Sequence, residues 1–325
     1  MTECVALTRA LDESQAHVGP LRPHASFGLA TGQPVAELPA GAPRQISTAW
    51  ELRHLQRRSR DVLRHKLVLD PTAPVLRRLG HELLSNIRRI QYLERMADAA
   101  GEPRDRVVPL IHDLIRASHH LLDVIVGQIA LCDSTTREAL TVAEWGRRLT
   151  LQEPIKLYKL LPLFDRVCDE IRRTRDLRLL VPLPGLHLTS VIESQSGQAD
   201  AANFTSGLLT ARVLVWMLGD GQRSTQDLAR LVLAALMQDV GRLPVVPGGA
   251  SARTLRGQRL DWLEQQHPTI AAALLGSIRG APIEFPMLVA QHHEQLDGGG
   301  FPRGLAAGDI LADAAILAAA GRFAE

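Results

Sequence analysis

From Pro74 onward, apolar residues return at three- and four-residue steps. Leu76, Leu79, Leu83, Ile87, Ile90 and Leu93 form one stripe, and Val107, Ile111, Leu114, Leu121, Ile125 and Ile129 form a second. A stripe of that period lies on one side of a helix and must be buried against another element. Nowhere does the chain alternate apolar and polar residues as a half-buried strand does. The sequence therefore predicts an all-α protein. Pro74 suits the start of the first long helix, Gly101 its end, and Pro103 the first turn of the next, which is expected to reach about Leu131. Further helices are expected from Thr136 to Leu149, from Pro154 to about Arg173, over Ser206–Leu218 and Leu228–Met237, and from His267-Pro268, with Pro268 in the first turn. No internal repeat of fixed period is present.

The chain has 325 residues, 46% hydrophobic and 22% charged, enough for two domains. A net charge of +2 gives no electrostatic case for a nucleic-acid partner, and the arginines of Gln56–Arg60 read as a solvated helix face. Cys4, Cys132 and Cys168 are far apart and form no CxxC pair, which fits a reducing compartment without disulfides. The N-terminus lacks the basic start and apolar core of a signal peptide, and no apolar run approaches the ~20 residues that cross a bilayer. The expectation is a cytoplasmic protein without membrane attachment.

Residues 1–48 are rich in Gly, Pro and Ala and read as a flexible arm. Residues 49–181 read as a helical bundle, either a sensor input or a dimer-forming module giving a homodimer. The VPLPG run at Val181–Gly185 is the clearest punctuation, so a second domain is expected over 183–325. The first bundle contains the dipeptide His112-Asp113, followed by His119-His120. His112, Arg116, His119 and Asp123 fall at i, i+4, i+7 and i+11 on one polar edge, which reads as solvated or partner-facing and not as a metal site.

The richest stretch chemically is Gln291–Leu305, QHHEQLDGGGFPRGL. His292 and His293 offer imidazole nitrogens, and Glu294 and Asp297 offer carboxylate oxygens. Gly298, Gly299 and Gly300 let the backbone bend at positive φ or lie against a ligand, and Phe301-Pro302 stops the run with a ring and a fixed φ.

This string resembles the HD-GYP family, whose pattern reads HHE, two spacers, then D/N-G-x-G-Y/F-P-x-G-L; the plainer reading is a His-rich helix end and a glycine turn. The resemblance covers about Leu183–Glu325. It implies a helical metal-dependent phosphohydrolase of bacterial signalling that cleaves cyclic di-GMP with iron, manganese or a similar metal. Two ions ~3.5–4 Å apart can activate a water and clamp a phosphate. It also implies a nucleotide- or partner-binding loop carrying Gly298, Gly300, Phe301, Pro302 and Arg303, with a diguanylate cyclase domain as the partner at Gly298–Leu305.

Position by position, the resemblance carries over unevenly. The family's first-helix His falls on Thr205. Its HDxGK motif falls on Gln238-Asp239-Val240-Gly241-Arg242, so the Asp is kept while Gln238 replaces His and Arg242 replaces Lys. The HP motif is intact as His267-Pro268, and the late Asp falls on Gly321. The ligands of one metal are mostly lost. Those of the other all remain, as Asp239, His267, His292 and His293, a set suited to a single Zn, Fe or Mn ion. Asp239 and Arg242 are the candidate catalytic pair, Arg242 keeping a positive charge for a phosphate. The family continues past the position of Glu325 with a further helix, so apolar surface over Ile310–Ala320 is expected to be bare unless covered.

Three functions fit these residues. The first is a degenerate HD-GYP regulatory module that binds metal, cyclic di-GMP or a related nucleotide, or a partner, with weak or no catalysis. The second is an active phosphodiesterase with a mononuclear site. The third is an interaction scaffold resembling the HDOD group, which the intact signature disfavours.

Overall fold

The computed structural model describes residues 44–99, 104–174, 180–219, 221, 223–243 and 258–324. Among these, the regular elements are helices and no strand occurs; Lys156 with Arg279 and Asp297 with Ala306 form isolated bridges. The fold is all-α, as the apolar period requires. Residues 1–43 of the expected arm lie outside the described residues, and Arg44 already belongs to helix α1 (Arg44–Leu63). Gly101, Pro103 and Cys4 also lie outside them.

Two compact units divide the chain. One holds Pro184–Leu186 and the described residues of 44–129; the other holds Ala130–Leu183 and His187–Glu325. This grouping differs from a cut at Val181–Gly185, because residues after Ala130 share a core and a buried ion-pair network with the C-terminal helices.

In the N-terminal unit, α1 is followed by the short α2 (Lys66–Leu69), α3 (Pro74–Ala99) and the first part of α4 (Arg104–Thr150). Leu76, Leu83 and Ile90 of the α3 stripe are fully buried. On α4 the buried line runs through Ile111, Ile115, Leu122, Ile125 and Ile129, leaving the expected Leu114 and Leu121 half-buried. The polar edge of α4 meets α1 of the same unit. His112 Nδ1 lies 3.3 Å from Glu51, and Arg58 reaches Asp123 at 3.0 Å and His119 Nδ1 at 3.5 Å.

Helix α4 corrects one expectation. The chain was expected to break between Leu131 and Thr136, yet one helix of 47 residues runs through. No Gly or Pro interrupts that stretch, and the hydroxyls of Thr135 and Thr136 donate back to the carbonyls of Leu131 (2.6 Å) and Cys132 (2.8 Å) within the helix. The helix expected from Pro154 begins later: a 3-10 turn at Leu157–Lys159 precedes α5 (Leu161–Thr174).

The C-terminal unit continues with α6 (Leu188–Ser196), α7 (Ala199–Ala202), α8 (Thr205–Leu218), α9 (Thr225–Met237), α10 (Gln258–Leu275), α11 (Glu284–Ala290) and α12 (Ala312–Ala324). Helix α8 is the centre, buried along most of its length and packed by α5, α9 and α12. Ser224 caps α9, its hydroxyl accepting the Asp227 N–H at 3.1 Å. Ala314, Leu317 and Ala320 of α12 are buried, so these residues of the surface expected to be bare are covered within the unit. Cys132 and Cys168 are free and buried, and burial pushes both thiols up to about 12.

At the middle of this unit the Arg212 side chain is 1% exposed. Its guanidinium donates to Glu170 (3.1 and 3.2 Å), Thr135 Oγ1 (3.0 Å) and Ser134 Oγ (3.1 Å). A buried cation is tolerated only with such a full set of acceptors. The network ties α8 to α4 and α5.

Val107–Thr150 and Asp200–Leu218 are long and apolar enough to cross a membrane by length and composition. The second has 78% of its apolar window buried inside the protein, as a core helix does. Their apolar residues are spaced among polar ones, which is why no continuous run shows in the sequence.

Candidate metal centre

Helix α10 starts at Gln258, so Pro268 lies inside it and not in its first turn. The consequence is local and useful. Proline has no N–H, so the carbonyl four residues earlier, that of Glu264, loses its helical donor. His267 Nδ1 takes that place, 2.5 Å from the Glu264 oxygen. His292 Nδ1 likewise lies 2.7 Å from the carbonyl oxygen of Val289 in the last turn of α11, an oxygen that also accepts the backbone N–H groups of Gln291 and His292.

A carbonyl oxygen can only accept, so each Nδ1 carries the proton. Burial, aided by the Arg242 charge, holds the His267 ring down to about 4; burial alone is the leading cause for His292, also about 4, and for His293, about 3. The rings are therefore neutral near pH 7, and Nε2 of His267 and His292 each hold a lone pair. These two nitrogens face one another at 3.3 Å. Two lone pairs cannot bond to each other. Two nitrogens bound ~2.0–2.1 Å from one tetrahedral zinc stand ~3.3 Å apart, so a cation fits between them.

The third ring completes the set. His293 Nε2 is buried without a hydrogen-bond partner among the described residues, and its ring is stacked on Phe301 at 4.5 Å. Donor atoms of His267, His292 and His293 all lie within 4.8 Å of one another. The chemistry of the donor set, three neutral imidazoles of which His267 and His292 have their outer nitrogens oriented by backbone carbonyls, fits a divalent ion.

Asp239 stands beside this trio. It lies on the 3-10 turn Gln238–Arg242 that follows α9, and its Oδ1 is 3.5 Å from His267 Nε2. Gly241 lets that turn lie against α10, since a Cβ there would meet the backbone of His267 and Ala271. Burial pulls the Asp239 carboxyl up, but Arg242 and the three rings outweigh it and hold the group below its ordinary value. Arg242 Nε donates to the same Oδ1 at 2.7 Å, and its two terminal nitrogens each lie 2.6 Å from a Glu264 oxygen. The positive charge expected to face a phosphate is thus already engaged by two carboxylates.

The glycine loop is held by its own acid. Glu294, expected as an oxygen donor, is buried and accepts the N–H groups of Arg303 and Leu305, both at 2.8 Å. Asp297 accepts the N–H of Gly299 at 2.9 Å. Both acids fold the loop, and Glu294 also lines the cavity beside His292 and His293. Gly298 and Gly304 take positive φ, 78° and 64°, and at Gly300 a Cβ would run into the backbone of His293–Gln295. Phe301 is the loop residue that reaches the site; Pro302 is half-buried beside it and Arg303 is exposed.

Next to the trio is a cavity of about 350 Å³, lined among others by Ser206, Gln238, Gln295 and Gly321 and by the two acids Glu264 and Glu294. Gln238 and Gly321 both reach it. Thr205 is buried with its hydroxyl donated to Ala202 at 2.8 Å. None of these three positions brings an imidazole or carboxylate to the cavity.

Glu264 escaped the sequence reading. Three residues before a histidine on a helix, it resembles any solvated acid, and only the fold brings Arg242 to it. The proline at 268, which frees its carbonyl, was the one available signal.

Residues 203–325 match the family model of the HD domain. No curated protein and no solved structure matches the chain.

Proposed function

We propose that this protein is a regulatory module of the HD-GYP type in bacterial cyclic di-GMP signalling, cytoplasmic, which holds one divalent ion and has little or no hydrolytic activity. The observation that supports this is the asymmetry of the cavity. On one side three neutral imidazoles converge with Asp239 beside them. On the other stand an amide, Gln238, and a glycine, Gly321.

His267, His292 and His293 would hold the ion, whether Zn, Fe or Mn, and it would supply a Lewis acid for a phosphate oxygen and for a water. The chain's own groups do the rest. Ser206, Gln238 and Gln295 offer hydrogen bonds to a ligand in the cavity, and Phe301 offers an apolar wall. A second ion finds no anionic or imidazole donor at Thr205, Gln238 or Gly321, and the cavity's two acids are engaged, Glu264 by Arg242 and Glu294 by the N–H groups of Arg303 and Leu305, which argues against the paired-metal chemistry that cleaves phosphodiesters. The loop from Gly298 to Leu305, braced by Glu294, presents a fixed exposed surface at Arg303 and suits a protein partner such as a diguanylate cyclase domain.

The test uses the full chain loaded with Mn²⁺ or Zn²⁺. Calorimetry with cyclic di-GMP is expected to show binding or none, while incubation yields no linear product above background. Turnover near ~1 s⁻¹, ordinary for an enzyme, would contradict the proposal and favour the active mononuclear phosphodiesterase.

A further inference from the structure

Asp239 is not drawn into the imidazole group, although it touches it. Its Oδ1 sits between two claimants. On one side is His267 Nε2 at 3.5 Å, on the other Arg242 Nε at 2.7 Å. The shorter contact is charge-assisted and the longer one is not a hydrogen bond at all. Arg242 is in turn braced from behind: both of its terminal nitrogens lie 2.6 Å from Glu264, a two-pronged pair that fixes the guanidinium plane. The carboxylate beside His267 is therefore held by a cation that is itself held.

We infer that Arg242 is a latch on Asp239: braced by Glu264, it keeps the carboxylate back from His267, His292 and His293 and so sets how tightly the site takes a divalent cation. The inference rests on the reading of those three rings as a metal site. Geometry gives the direction. An ion seated among the rings gains a fourth, anionic donor only if Asp239 Oδ1 leaves Arg242 or is shared with it. The guanidinium also opposes the ion by its charge, an effect that needs no contact. The two effects separate in a double-variant cycle, because only the latch acts through Asp239. Arg242 is in this sense a positioning residue.

The experiment is calorimetric titration of the full chain with Zn²⁺ alone, in wild type, Arg242→Ala, Asp239→Asn and the double variant, with circular dichroism melts to confirm folding. Arg242→Ala is expected to bind Zn²⁺ about tenfold more tightly than wild type, a size set by one exposed-to-half-buried charge contact. In the Asp239→Asn background the same change is expected to alter affinity about twofold or less. Arg242→Lys, which keeps the charge but cannot span Asp239 and Glu264 together, is expected to fall between, about threefold tighter, and serves should the alanine variant fold poorly.

An affinity in Arg242→Ala equal to or weaker than wild type overturns the latch, while a binding wild type still supports the metal site. An equal gain with and without Asp239 also overturns it, leaving simple charge repulsion. Binding in Arg242→Ala but not in wild type supports the latch and contradicts a metal-holding wild type. No binding in either overturns both.

Discussion

Replacing Arg212 with methionine is the sharpest test of how the C-terminal unit is built. The side chain is 1% exposed and its main counter-charge, Glu170, is 16% exposed. Removing one partner of a buried pair costs about 3–5 kcal/mol because the other charge is left in a poor solvent. Two details place this case at the low end. Glu170 still reaches some water, and Ser134 still donates to it at 2.6 Å. Thr135 likewise keeps its bond to the Leu131 carbonyl. The expected cost is therefore about 3 kcal/mol. Adding Glu170→Leu removes the stranded charge, and the double variant is expected to lie within about 1 kcal/mol of wild type. Urea unfolding followed by tryptophan fluorescence reads mainly this unit, since three of the four tryptophans, Trp145, Trp216 and Trp262, belong to it and Trp50 lies in the other. At a slope of about 3 kcal/mol/M the single variant shifts the midpoint by about 1 M. A single-variant cost under about 1 kcal/mol would refute the network, and so would a double variant that simply sums two losses.

Other perturbations probe the site. Gly241→Ala should cost about 2–3 kcal/mol in urea unfolding, because its methyl meets the backbone of His267 and Ala271, and should weaken Zn²⁺ binding by displacing His267; an unchanged midpoint would contradict the close approach. Glu294→Ala should speed amide hydrogen exchange at Arg303 and Leu305 by about tenfold or more, read by NMR, since both N–H groups lose their acceptor. In metal-free protein, the three rings are neutral when folded and titrate near 6.5 when unfolded, so the unfolded state binds more protons below that pH. Stability should fall as pH drops from about 6.5 toward 4, by up to about 3 kcal/mol for each ring, and stay level above 7; a flat profile between pH 4 and 6.5 in chemical denaturation would contradict the burial of the trio.

The helical fold was legible because its cause is local. Leu76, Leu83 and Ile90 announce their buried face by spacing alone. The histidines of the site were legible for a different reason: they sit in a short ordered string, and His267 precedes a proline. Long-range partners leave no such mark. Nothing near Glu264 in the chain points to Arg242, and nothing near Arg212 points to Ser134 and Glu170. Helix boundaries failed where a residue has two meanings. Pro268 can begin a helix or, as here, free a carbonyl within one to orient the neighbouring ring. Between Leu131 and Thr136 the helix continues where a break is expected, and the hydroxyls of Thr135 and Thr136 return to its backbone. The acids of the signature misled in the same way, since Glu294 folds the loop that it was expected to equip with an oxygen donor.

The account stands on three neutral rings sharing one cation. Metal analysis of the full chain after Zn²⁺ loading and desalting measures that directly, alongside His292→Ala. About one equivalent per chain in wild type, and close to none in the variant, is the expected result. Two equivalents held with similar strength, or a single equivalent that His292→Ala leaves in place, would contradict it.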